Sequence, residues 1–108
     1  MKERDIEVLL RDGVKQLGGK AYKWTSPGNA GVPDRIVILP GGRIVFVELK
    51  QECGRLTRLQ KVQQEQLTRL KVPVATLYGI ADVRKFLDWA KEHSTYDLQS
   101  TSVPKVLH

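Results

Sequence analysis

Two apolar runs joined by one short turn constrain this chain more than anything else in it. Residues 31–50 read GVPDRIVILPGGRIVFVELK. Ile36, Val37, Ile38 and Leu39 fill the first run, and Ile44, Val45, Phe46, Val47 and Leu49 the second, with Pro40-Gly41-Gly42 between them. β-Branched and aromatic residues at this density, broken by glycines, specify a β-hairpin. Three charges disturb the pattern. Asp34 opens the first run, while Glu48 and Lys50 interrupt the end of the second. A charge placed where the pattern predicts burial needs a partner or an ion.

Strand alternation puts Phe46, Glu48 and Lys50 on one face and Val45, Val47 and Leu49 on the other. Asp34, Ile36 and Ile38 likewise share a face. Whether Asp34 meets Glu48 depends on register, which the turn sets. A two-residue loop at Gly41-Gly42 would pair Pro40 with Arg43 and leave Asp34 opposite Leu49. A three-residue loop at Pro40-Gly41-Gly42 would pair Leu39 with Arg43, Ile36 with Phe46, and Asp34 with Glu48. Loops of three residues end in a left-handed glycine, which Gly41 or Gly42 supplies. The second register is the expected one, with the two Cα atoms roughly 4.5–5.5 Å apart. Both carboxylates then reach one cation.

The remaining segments supply the framework. Residues 3–17 carry Ile6, Leu9, Leu10, Val14 and Leu17 at helical spacing, stopped by Gly18-Gly19. Residues 21–24 suit a short strand, and TSPGNAGVP is a loop of turn formers. Thr57 is an N-cap for a helix running to about residue 70, with Leu59, Val62, Leu67 and Leu70 expected inward. Residues 74–78 read as a strand, and residues 80–93 as a last amphipathic helix with Val83, Phe86, Leu87 and Ala90 inward. The order is α-β-β-β-α-β-α, an α/β fold with a mixed central sheet flanked by helices. Residues 1–93 are expected to form one domain, and the tail, residues 94–108, to be flexible or to dock on a dimer partner.

Composition narrows the partners. Eighteen Lys plus Arg against twelve Asp plus Glu give a net charge of +6 over 108 residues. Such a balance favours a polyanion, nucleic acid first, over an anionic membrane. No apolar run approaches the roughly 18 residues of a transmembrane helix. The charged N-terminus MKERDIEVLLRDG is unlike a signal peptide, so a cytoplasmic protein is expected. Cys53 is the only cysteine, which excludes an intrachain disulfide and a cysteine-cluster zinc site.

Paired carboxylates beside a lysine suit Mg²⁺ or Mn²⁺, hard cations that prefer oxygen ligands. Such a cation polarises a phosphoryl oxygen and activates water, and Lys50 would neutralise charge building on the phosphate. Hydrolysis of a phosphodiester fits this set. A histidine-assisted nucleophile does not, because His93 and His108 lie away from the cluster.

Pro33-Asp34, followed fourteen residues later by Glu48-Leu49-Lys50, resembles the PD-(D/E)xK nuclease signature. More closely, about residues 3–90 resemble the virus-type replication-repair nuclease (VRR-NUC) family. The likeness rests on Gly18-Gly19, YKWTSPGNAGVPDR, the PGG turn, FVELK and Gln60. It implies the α-β-β-β-α-β core and metal-dependent endonucleolytic cleavage of DNA. Asp34 and Glu48 would be metal ligands, joined by the backbone carbonyl of Leu49, and Lys50 the catalytic lysine. Glu7 matches an acidic residue on the first helix that helps shape the metal site, usually through water, and Gln60 a glutamine on the helix after the ExK strand. The resemblance further implies a homodimer resolving four-way (Holliday) junctions in a bacterial or phage-infected host cytosol. The alternatives are a less selective nickase of flaps and splayed duplexes, or a silent DNA-binding module of the same fold. Arg58-Leu59 departs from the family, which usually has a small or acidic residue near position 58.

Each of these residues also has a plainer reading. Asp34 could cap a turn, Glu48 and Lys50 could be a solvated ion pair, and Glu7 could face solvent or pair with Arg11. Gln60 shares its helix with Gln63, Gln64 and Gln66, so without the family likeness it is one polar residue among several. Arg35, Lys20, Lys23, Arg55, Arg58 and Lys61 are candidates for a phosphate track, with Ser26 and Asn29 touching the backbone or holding the turn. Trp24 and Trp89 read as core residues, and Trp24 is also a stacking candidate.

Overall fold

The computed structural model describes residues 2–94. The expectation for the tail therefore lies, from residue 95 onward, outside the described residues, as does His108. The elements follow the order α1 (Glu3–Gln16), β1 (Lys20–Lys23), β2 (Arg35–Leu39), β3 (Arg43–Lys50), α2 (Arg58–Arg69), β4 (Val74–Tyr78) and α3 (Gly79–His93). This is the order expected, with β1 and α3 each starting one residue earlier. No helix among the described residues is long and apolar enough to cross a membrane.

The four strands lie side by side as β1-β2-β3-β4. β1, β2 and β3 are antiparallel neighbours, the first two joined by the loop of residues 24–34 and the last two by a tight turn. β4 runs parallel to β3, which obliges the chain to cross over through α2 between them. Alternation divides the sheet into two faces. One carries Ala21, Val37, Leu39, Val45, Val47, Leu49 and Leu77, and packs on Ile6, Leu10 and Val14 of α1 and on Val83, Phe86 and Ala90 of α3. All of these are buried. The core thus lies between the sheet and an α1–α3 layer.

α2 lies over the other face, and here the expectation fails. Leu59 is 55% and Leu70 72% exposed, Val62 is exposed too, and no residue of α2 is buried. The side turned to the sheet is polar, carrying Gln60 and Gln64. A 3.6-residue apolar period marks a stripe without stating which surface it meets. The facing sheet residues are Glu48 and Thr76, and polar side chains meet them better than leucines do.

Candidate active site

The hairpin turn sets the site. Gly42 N–H donates to the Leu39 carbonyl at 3.1 Å, and Gly41 and Gly42 have φ of 89° and 82°. Proline then left-handed glycine at the two central positions makes a type II turn. The loop is Pro40-Gly41-Gly42, because Leu39 pairs with Arg43 and Ile36 with Phe46. Asp34 immediately precedes β2, so the same register carried one step further sets it across from Glu48. Neighbouring contacts fix it there: Trp24 N–H donates to its carbonyl at 2.8 Å, and Leu49 N–H to its Oδ2 at 3.0 Å. On the far side, Glu48 pairs with Thr76 of β4. Trp24, Asp34, Glu48 and Thr76 form one row across the sheet, on the face under α2.

Glu48 is only 2% exposed. Its Oε2 accepts from Gln60 Nε2 at 3.3 Å and lies 3.9 Å from Lys50 Nζ. Its Oε1 is buried without a hydrogen-bond partner. Burial, reinforced by the negative charge of Asp34 and offset in part by Lys50, pushes its carboxyl up to about 8. Gln60 is held by a capping box at the start of α2: its Oε1 accepts from Thr57 N–H at 2.9 Å, and its own N–H donates to Thr57 Oγ1 at 3.2 Å. With the amide oxygen so used, the NH₂ group faces Glu48. The cap sets the orientation of the glutamine.

The remaining sequence candidates lie on α1, β1, β2, the loop before β2 and the start of α2. Glu7 sits on α1, its Oε2 4.0 Å from Arg35 Nη2, and among the described residues no three His, Cys, Asp or Glu side chains gather as a metal cage. Arg35 is 8% exposed, with Nη1 donating to the Ala21 carbonyl at 3.3 Å. It therefore lines the α1 face with Val37 and Leu39 and is closed to a phosphate on the surface; strand alternation puts it on the face opposite Asp34. Lys20 pairs with Ile38, four residues from the Asp34 row, or about 13 Å along the sheet. Lys23, paired with Arg35, shares its face and so points away from the Asp34 row. Asn29 donates through Nδ2 to Ser26 Oγ at 2.9 Å, so these two hold their turn. Arg55, Arg58 and Lys61 are exposed around the start of α2, beside Gln60. Trp24 packs on Phe46 with centroids 4.8 Å apart. The sequence gives no separate notice of Gln63, which reaches the loop at Ala30, or of Gln64, which reaches Thr76 of the sheet. The available signal was helical: Gln64 lies one turn after Gln60, so both descend on the sheet together.

Two carboxylates, one just before β2 and one on β3, lie close together with a lysine beside the second and basic residues on the nearest helix. Such a set is able to hold a hard cation next to a phosphate. The comparisons agree with it. No family model matches the sequence. The chain is 43% identical over 77 residues to "Putative nuclease p44" of Acyrthosiphon pisum secondary endosymbiont phage 1, spanning 71% of this chain and 83% of that protein. A solved structure described as a VRR_NUC domain superposes with a TM-score of 0.75 at 29% identity, covering 80% of this chain and 94% of that one. A second, described as a VRR_NUC domain protein, shares the fold at a TM-score of 0.68 and 16% identity. With its site on the same hairpin, helix and loop that carry the sequence likeness, this chain belongs to the VRR-NUC family of nucleases.

Proposed function

We propose that the protein is a metal-dependent endonuclease that cuts branched DNA, with four-way junctions as its preferred substrate and a homodimer as its working form. The observation that carries this reading is the Asp34 carboxylate, held by Leu49 N–H against the strand that carries Glu48, with Lys50 beside them. The residues fit a hard divalent cation, Mg²⁺ or Mn²⁺. Glu48 Oε1 is a buried oxygen without a partner, and an oxygen donor set with a neighbouring ammonium suits such ions. Asp34, Glu48 and the Leu49 carbonyl would hold it. When bound, the cation supplies charge to the phosphoryl oxygen and lowers the pKa of a water.

The chain's own groups do the rest. Leu49 N–H holds Asp34, and Gln60 holds Glu48, so both carboxylates are oriented before substrate arrives. Lys50, partly exposed, neutralises charge developing on the scissile phosphate. Arg55, Arg58 and Lys61, exposed around the start of α2, attract the backbone beside the site. The homodimer reading draws on the apolar side chains left exposed on α2 and on the sheet.

The test is cleavage of a labelled four-way junction with Mg²⁺, alongside a flap, a splayed duplex and a linear duplex. Asp34→Ala and Lys50→Ala should each slow cutting by about 10²–10³-fold, the size of effect seen when one transition-state contact is removed. Binding without cutting by the wild type would mark a silent module. Equal cutting by all three proteins would put the active site elsewhere.

A further inference from the structure

α2 rests on the sheet in a way that gives its glutamines a role beyond solubility. None of its side chains is buried, and Leu59, Val62 and Leu70 are exposed. Three glutamines on two successive turns hold it down. Gln60 reaches Glu48, Gln63 Nε2 donates to the Ala30 carbonyl at 3.4 Å, and Gln64 pairs with Thr76. The last contact runs both ways: Gln64 Nε2 lies 2.9 Å from Thr76 Oγ1, and Oγ1 lies 3.3 Å from Gln64 Oε1. A hydroxyl can accept from the NH₂ group and donate to the amide oxygen, so the amide is held at both atoms. Thr76 is also the register partner of Glu48, on the same face of the sheet. Gln60 and Gln64 therefore descend from successive turns of one helix onto neighbouring residues of one row.

We propose that Gln64 and Thr76 are a positioning pair for the metal site: they set the height and rotation of α2, and thereby the placement of the Gln60 amide on Glu48 Oε2. A helix anchored by buried leucines keeps its seat when one polar contact is lost. α2 has no such anchor, so its seat depends on directional contacts. Release of the Gln64–Thr76 contact lets α2 turn about its capped N-terminus and draws the Gln60 NH₂ group off Glu48. The carboxylate then loses the contact that orients Oε1 towards a cation. The proposal rests on the reading of Asp34 and Glu48 as metal ligands.

Titration of the full chain with Mn²⁺ by calorimetry, without DNA, tests it. Gln64→Ala and Thr76→Val should each weaken Mn²⁺ binding by about tenfold, the lower end of what loss of a contact behind a ligand does. The double variant should bind no more weakly than the worse single, because both changes break one contact. Thr76→Ser, which keeps the hydroxyl, should restore wild-type affinity, and Gln66→Ala, on the exposed side of α2, should leave it unchanged. Wild-type affinity in Gln64→Ala and Thr76→Val, with only their melting temperatures lowered, would overturn the proposal and leave the pair a stabilising contact. A wild type that binds no Mn²⁺ at all would remove the metal site itself, and the positioning role with it.

Discussion

In the proposed site, Glu48 is the side chain on which the most features converge. It is buried, one oxygen is held by Gln60 and the other is free. Burial and Asp34 raise its carboxyl from 4.5 to about 8, so without a cation it carries a proton at neutral pH. The folded chain then keeps a proton that the unfolded chain releases near 4.5. Stability contributed by this group is full below that value and is lost as pH rises towards about 8. The metal-free protein should therefore melt at a lower temperature at pH 8 than at pH 5. Glu48→Gln, neutral at both, should flatten most of that decline and melt above the wild type at pH 8. Thermal denaturation in chelator across this range checks it, and equal slopes for the two proteins would contradict it. Removing the proton is also what a cation requires. The group that weakens the metal-free fold at pH 8 is the one best prepared there to ligate.

The loop of residues 25–33 and the start of α2 depend on each other. Gly31 has a φ of 91°, and a Cβ placed on it would come within 2.6–2.8 Å of the backbone of Leu59 and Gln60. Gly28, with a φ of 81°, has open space around it. Gly28→Ala should cost about 1 kcal/mol for backbone strain alone. Gly31→Ala adds a clash that only movement of α2 relieves, and should cost about 3 kcal/mol and weaken cleavage through Gln60. Chemical denaturation of both variants would measure the difference, and equal losses would show that the loop yields freely. The hairpin and its register were legible in sequence because a proline and two glycines allow few turns, and the turn counts residues into pairs. The charge of Arg35 suggests a phosphate track, although alternation after Asp34 already assigns it to the side of Val37. The seat of α2 was not legible: Leu59, Val62 and Leu70 recur like core residues, while the glutamines that do meet the sheet look like any polar helix face. Gln60 was visible through family likeness, and its partner Thr57 through capping preference.

At the scale of the molecule, the sheet is covered unequally. α1 and α3 close one face with buried aliphatics, whereas α2 shelters only part of the other. Tyr22 and Ile44 on that sheet face remain exposed, together with Leu59, Val62 and Leu70 of α2. An apolar surface of this kind on a chain of net charge +6 is poorly matched to phosphate and well matched to another apolar surface. A two-fold interface brings the same patch from each copy together, so one exposed stripe supplies both sides of the contact. It would also set two phosphodiester sites in one particle, as symmetric cutting of a junction requires. The proposed homodimer should accordingly elute and scatter light as twice the 12.2 kDa chain. Leu59→Glu combined with Leu70→Glu should yield a monomer with an unchanged circular dichroism spectrum, because neither side chain supports the fold from within. That monomer should nick a junction on one strand at a time rather than resolve it. A wild type that stays monomeric at tens of micromolar would end the dimer reading; a double variant that remains dimeric would move the interface off this face.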